Sequence, residues 1–130
     1  MTKNERFKGS VNWVNRPSEY LAGIETDVKR YFTDQVVAIF RTDSDIAIDV
    51  TFRTALYTIH LTSTQPGIFD GSFTARDGSS SWQGTATARL FIGTTGRFLY
   101  GTWCENPANH VKDTWWADLL PDVSNEPNVA

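Results

Sequence analysis

The chain has 130 residues, of which 40% are hydrophobic and 21% are charged, and these values are typical of one globular domain rather than a disordered or collagen-like chain. The formal net charge of −3 at pH 7 disfavours nucleic acid and anionic lipid as partners. Cys104 is the single cysteine, which excludes a disulfide within the chain, and residues 1–6 lack the apolar run of a signal peptide. No segment approaches the roughly 18 apolar residues of a membrane span. We therefore expect a cytoplasmic domain that binds neither membrane nor nucleic acid.

The N-terminal third predicts strands, with weaker alternation than the rest of the chain. The segments that fit a strand better than a helix are 9–14, 20–25, 27–32 and 35–42. A helix over residues 18–32 is the alternative, since Ser18 is typical of a helix start. Gly23 and the β-branched residues Ile24 and Val28 disfavour that helix.

From residue 46 onward, apolar residues alternate with polar ones, as in half-buried antiparallel strands. The residues predicted to face inward on the first two strands are Ile46, Ile48, Val50, Phe52, Ala55, Tyr57, Ile59 and Leu61. On the next two they are Phe69, Gly71, Phe73 and Ala75, followed by Trp82, Gly84, Ala86, Ala88, Leu90 and Ile92. Between these two strands, Asp77-Gly78 supplies the positive φ that a tight hairpin requires.

The remaining strands extend to residue 120. Residues 93–96, with a glycine at each end, predict a turn that leads into strands over 97–104 and 113–120. Residues 121–130 contain two prolines and little to pack, so we expect a disordered tail after a single domain at 1–120.

Eight or nine strands joined by short turns predict antiparallel neighbours throughout. An open meander of this length would expose two edges, and closure removes both. The predicted fold is therefore all-β, an antiparallel meander that closes into a small up-and-down barrel of about eight strands. A sandwich or partly open sheet is the alternative.

The predicted inner face mixes small residues with large ones. Gly71 lies beside Phe69 and Phe73, and Gly84 lies beside Trp82. Small side chains either let the sheet bend around a solid aromatic core, or leave room for a ligand along the barrel axis. Ligand pockets are mostly apolar and aromatic with a few polar groups, which is compatible with the second interpretation.

Three short motifs in the second half of the chain resemble the calycin barrels, the group that contains the avidins and lipocalins. They are Ser81-Trp82-Gln83-Gly84-Thr85-Ala86, Gly101-Thr102-Trp103 and Asp113-Thr114-Trp115-Trp116. This resemblance implies an eight-stranded meander barrel that binds a small apolar or cyclic ligand, with Trp82 and Trp115 as pocket walls. Our first hypothesis is a binding barrel that holds such a ligand between Tyr57, Phe73, Trp82 and Trp115.

A second hypothesis is a barrel enzyme of isomerase or hydrolase type. Glu105, His110 and Asp113 lie within one connection, and a histidine beside carboxylates is suited to act as a general base. The spacing of Cys104 and His110 matches no zinc pattern, so we expect neither a metal nor another cofactor.

A third hypothesis is a structural or partner-binding β-domain. Val37, Ile39, Phe91, Leu99 and Trp103 fall on the face that the alternation assigns to the outside. Rows of exposed large apolar groups are typical of oligomer interfaces. The sequence therefore predicts a homodimer or higher oligomer, unless the N-terminal segment covers this face.

Overall fold

The computed structural model describes residues 4–15, 29–42, 44–105 and 112–122. Its strands are β1 (Glu5–Asn15), β2 (Lys29–Thr42), β3 (Asp45–Phe52), β4 (Ala55–Gln65), β5 (Ile68–Asp77), β6 (Ser80–Ile92), β7 (Arg97–Glu105) and β8 (Asp113–Pro121). Each strand pairs antiparallel with the next, and β8 pairs with β1, so the sheet closes on itself. The predicted all-β meander barrel is confirmed. In the part of the chain that the structure describes, no helix is long and apolar enough to cross a membrane.

Strand β2 combines two segments that the sequence predicts as separate strands. A bulge explains the apparent break, because Gly9 of β1 pairs with Val36 and Val11 pairs with Thr33, leaving one extra residue on β2. Thr33 and Val36 therefore both face inward and interrupt the alternation. Buried Thr33 stabilises the bulge, since its hydroxyl donates to the carbonyl oxygen of Thr51 at 2.7 Å.

The other N-terminal and C-terminal predictions are only partly covered by the structure. The segment 20–25, the alternative helix up to residue 28, and residues 123–130 lie outside the described residues. Residues 29–32 are strand and not helix. At the C-terminal side, β8 extends to Pro121, and the backbone N–H of Asp122 donates to the carbonyl oxygen of Arg6 at 2.9 Å.

The hairpin turns follow their local sequence. Pro66-Gly67 joins β4 to β5 with a φ of 77° at the glycine, the arrangement of a type II turn. Gly78, with a φ of 61°, opens the two-residue turn between β5 and β6. Arg53 opens the corresponding turn between β3 and β4 at a φ of 56°, which is uncommon for a residue other than glycine.

The barrel has two different ends. At the packed end, where β1 begins and β8 ends, buried apolar side chains fill the interior, namely Phe7, Phe40, Ile46, Leu61, Phe69, Leu99 and Leu119. Burying each such side chain contributes roughly 1.5–3 kcal/mol. The Arg97 guanidinium lies 5.0 Å from the centre of the Phe7 ring and covers it. At the opposite end, which we call the cavity end, the interior is not filled.

The predicted orientation of β7 is wrong. Leu99 is fully buried, at 0% exposure, and Trp103 also points inward, although the sequence assigns both to the outer face. The reason is the register of the hairpin, in which Leu99 pairs with Leu90 and Trp103 pairs with Ala86, so directly opposed residues share the inner face. Ile92, predicted to face inward, is 67% exposed at the end of β6.

The outside of the barrel nevertheless carries large apolar groups. We call Phe91, Phe98, Tyr100 and Trp116 the outer aromatic band. Phe91 pairs with Phe98, Tyr100 pairs with Trp116, and the rings of Phe98 and Tyr100 stack at 6.4 Å. Phe91 is 54% exposed and Tyr100 49% exposed. The predicted outward residues Val37 and Ile39 are half-buried on β2.

Candidate functional site

A cavity of about 400 Å³ occupies the cavity end of the barrel. Its volume is within the range of small-molecule sites. Its lining comes from every strand except β2. The lining residues are Val11, Trp13, Asn15, Val50, Tyr57, Ile59, Phe73, Trp82, Ala86, Trp103, Glu105 and Trp115.

The aromatic side chains form a continuous wall around the cavity. Tyr57 is its centre, with ring centroids 5.9 Å from Trp82, 6.0 Å from Trp13 and 6.4 Å from Phe73. The Phe73 ring in turn meets Trp103 edge to face at 6.0 Å. These separations are those of favourable aromatic pairs, so the rings hold each other in place around the space.

The four residues predicted to bind a ligand come together here. Tyr57 from β4, Phe73 from β5, Trp82 from β6 and Trp115 from β8 all line the same cavity. They converge because each has the inward parity of its strand. The antiparallel pairings Tyr57 with Ala75, and Ala75 with Trp82, align Tyr57 and Trp82 across three strands, and Phe73 lies two residues before Ala75 on the same face of β5.

Trp115 and Trp103 are walls whose indole N–H groups are already engaged. The Trp115 Nε1–H donates to the carbonyl oxygens of Thr87 at 3.0 Å and Thr102 at 3.2 Å. The Trp103 Nε1–H donates to the carbonyl oxygen of Val14 at 3.1 Å. By contrast, among the described residues no hydrogen bond partner is found for the indole N–H of Trp82. Trp82 is therefore the better placed to donate to a bound molecule.

Polar groups in the cavity are few. Asn15 and Glu105 line it at the ends of β1 and β7, together with the half-buried Tyr57 hydroxyl. Burial raises the pKa of Tyr57, and the carboxylates of Glu105 and Asp77 and the Tyr31 hydroxyl raise it further. Tyr57 is consequently neutral at pH 7, and its hydroxyl can both donate and accept a hydrogen bond.

No family model, curated protein or solved structure matches this chain. The structure is an eight-stranded antiparallel closed barrel, which is the architecture that the calycin resemblance implies. The assignment to calycins, avidins or lipocalins is a proposal that goes beyond this architecture.

The structure describes two of the three predicted catalytic residues. Glu105 lines the cavity, and Asp113 is buried at the start of β8, where it pairs with Trp103. His110 lies outside the described residues. Within residues 4–15, 29–42, 44–105 and 112–122, no group of three or more metal-ligating side chains occurs.

Two aromatic wall residues were missed by the sequence interpretation. Trp103 was assigned to the wrong face, and Trp13 was not assigned to any face. The signal for Trp13 is the alternation Phe7, Gly9, Val11, Trp13, whose members all face inward on β1. Because Gly9 has no apolar side chain, the alternation of apolar and polar residues is interrupted at this position and is difficult to recognise in the sequence.

Proposed function

We propose that this protein is a small-molecule-binding barrel that takes a small, largely apolar or cyclic ligand at the cavity end. The observation that supports the proposal is the cavity itself, about 400 Å³ in volume and walled by aromatic rings from six strands. A barrel of eight strands is just wide enough for side chains to fill it, as they do at the packed end. The unfilled space therefore distinguishes the cavity end from the packed end, and it leaves room for a ligand.

Aromatic walls and sparse polar groups favour a ligand with a flat or ring-shaped body. Apolar contact supplies affinity, and Asn15, Tyr57 and the indole N–H of Trp82 supply orientation. The four sequence-predicted residues Tyr57, Phe73, Trp82 and Trp115 would contact the body of such a ligand.

The test is a binding screen read by tryptophan fluorescence, paired with a variant that fills the cavity. Ala86 lines the cavity on β6, so Ala86→Leu places a larger side chain inside it. Thr85→Leu is the matched control, because its side chain is exposed on the outside of the same strand. We expect ligands found with the wild-type protein to lose at least tenfold in affinity with Ala86→Leu and to keep it with Thr85→Leu. Equal binding by all three proteins would place the ligand elsewhere.

A catalytic function through Glu105, His110 and Asp113 stays a second proposal. Its support is the position of Glu105 at the cavity and of Asp113 at the same end of the barrel. Once a ligand is found, its chemical conversion by the wild-type protein and by His110→Ala tests this proposal. Unchanged turnover by the variant would remove His110 from any mechanism.

A further inference from the structure

The cavity has one acidic corner, formed around Glu105. This residue ends β7 and pairs with Gly84 of β6, which has no side chain to shield it. Phe73 lies across Gly84, and its ring contacts Trp103. The pKa of the Tyr57 hydroxyl, which lines the same cavity, is raised by burial and by the Glu105 carboxylate. A negative charge is therefore located on an aromatic wall.

Glu105 is the only charged residue among the described residues that line the cavity. Lys29, Arg53 and Lys112 belong to the same end of the barrel but are not part of the lining. The Arg53 guanidinium lies 4.7 Å from the centre of the Phe52 ring. No basic side chain thus faces the Glu105 carboxylate within the described lining, and an anionic ligand would meet a like charge there.

The aromatic rings of the cavity wall also favour a positively charged ligand. The faces of tryptophan and tyrosine rings carry negative electrostatic potential, and they attract ammonium groups within about 6 Å. Trp82 and Tyr57 meet edge to face, with an interplanar angle of 81°, so their faces point in different directions around the space. This arrangement suits a compact cation better than it suits a purely neutral group.

We infer that the ligand carries a protonated amine or a quaternary ammonium group, held by Glu105 and the rings of Tyr57 and Trp82, with an apolar body in the rest of the cavity. The inference rests on the proposed function, and it adds the charge of the ligand. The structure offers a carboxylate and ring faces to the cationic group, and hydrocarbon to the remainder.

Three probes of one shape test the inference by tryptophan fluorescence or calorimetry. They are 4-(trimethylammonio)phenol, its neutral carbon analogue 4-tert-butylphenol, and the anion 4-hydroxybenzenesulfonate. We expect the cation to bind about tenfold more tightly than the neutral analogue, and the anion to bind most weakly. In Glu105→Gln, the affinity for the cation should fall about tenfold while that for the neutral analogue stays within about twofold. Asp49→Asn, which removes the same charge from the exposed outer face of β3, is the control and should change neither.

The outcomes separate this inference from the proposed function. If the neutral analogue binds as tightly as the cation, or if Glu105→Gln keeps the preference for the cation, the inference is wrong and the binding function stands. If none of the three probes binds, the inference is wrong, and the binding function is decided by the fluorescence screen with Ala86→Leu. Circular dichroism of Glu105→Gln verifies that the variant is folded, as expected for a change at an exposed strand end.

Discussion

At Gly84, the ring of Phe73 occupies the space that any larger side chain would fill. A Cβ atom added there would overlap the backbone carbonyl oxygen of Cys104 on β7, and it would lie 2.5 Å from Cε2 and 2.7 Å from Cζ of Phe73. The glycine therefore lets an aromatic ring cross the inner face of β6, and this ring is part of the cavity wall. At this position the small residue makes room for a ring, and that ring borders the cavity.

Gly84→Ala should consequently destabilise the protein by about 1–3 kcal/mol, since both the β7 backbone at Cys104 and the Phe73 ring must shift to relieve the overlap. Urea unfolding measures the change. Thr85→Ala, at the neighbouring exposed position on the same strand, is the control and should change stability by less than about 0.5 kcal/mol. An equal effect of both substitutions would contradict the packing of Phe73 over Gly84.

Tyr57 should titrate later than an exposed tyrosine. Its pKa is raised by burial and by neighbouring acidic groups, so the folded protein retains the proton above pH 10 while the unfolded chain loses it. Tyr57 therefore makes its full contribution to the stability of the folded state below pH 10. This contribution is lost as the pH rises from 10 to the pKa of Tyr57 in the folded protein. Absorbance titration at alkaline pH measures the effect. Tyr57→Phe should remove the late phase of this titration.

At the scale of strands, β6 and β7 separate locally where Trp115 enters. Their pairing runs from Gly84 to Ala86 and resumes at Arg89, leaving Thr87 and Ala88 outside the paired residues. In the gap, the backbone N–H of Thr102 donates to the Thr87 hydroxyl at 3.2 Å, and the Trp115 indole N–H serves two backbone carbonyl oxygens. Side chains thus replace part of the missing backbone pairing.

Trp115→Phe should therefore cost more than the lost ring area alone. It leaves the carbonyl oxygens of Thr87 and Thr102 without their common donor, which costs about 1–3 kcal/mol. Trp103→Phe is the comparison, since its indole N–H serves one carbonyl oxygen, and its effect should be smaller. Chemical denaturation of both variants measures their free energies of unfolding and shows which substitution destabilises the protein more. A larger loss of stability in Trp103→Phe than in Trp115→Phe would show that the two Trp115 hydrogen bonds across the gap do not stabilise the protein more than the one Trp103 hydrogen bond.

Sequence could predict the faces of β3 to β6 because their connections are two-residue turns. Arg53-Thr54, Pro66-Gly67 and Gly78-Ser79 each fix the register between flanking alternations. The four-residue connection 93–96 does not fix the register between β6 and β7. For this reason the sequence interpretation assigned Leu99 and Trp103 to the wrong face. The bulge in β2 could not be predicted either, since it depends on which residues of β1 lie opposite.

The candidate site was predictable to a similar extent. The inward positions of Tyr57, Phe73 and Trp82 follow from alternation, whereas alternation shows only that at most one of Trp115 and Trp116 faces inward, and the choice of Trp115 came from the calycin resemblance. The cavity could not be predicted, because it depends on how far rings from different strands reach across the barrel. Glu105 was noted as a loop residue, and only the register of β7 places it at the cavity.

At the scale of the whole molecule, the outer aromatic band is an apolar area without a cover among the described residues. Such an area is typical of an interface, so we propose, as the sequence predicts, that the protein forms a homo-oligomer.

Sedimentation velocity tests this proposal directly. We expect the wild-type protein to sediment as a dimer or larger species, and Phe91→Ser combined with Tyr100→Ser to shift it to monomer, because both residues are about half exposed on the outer face. Arg76→Ser, at an exposed position on β5 away from this band, is the control. A wild-type protein that is monomeric at high concentration would refute the proposal.

The pairing of β1 with β8 also determines when the cavity can form. Trp13 and Trp115 are register partners on these two strands, and both border the cavity. The cavity is thus complete only after the first and last described strands have paired, and contacts between strands that are neighbours in the sequence cannot accomplish this step. A bound molecule should in turn stabilise the pairing of β1 with β8. It should slow hydrogen exchange at the amides of Asn12 and Trp116 more than at the amides of β4.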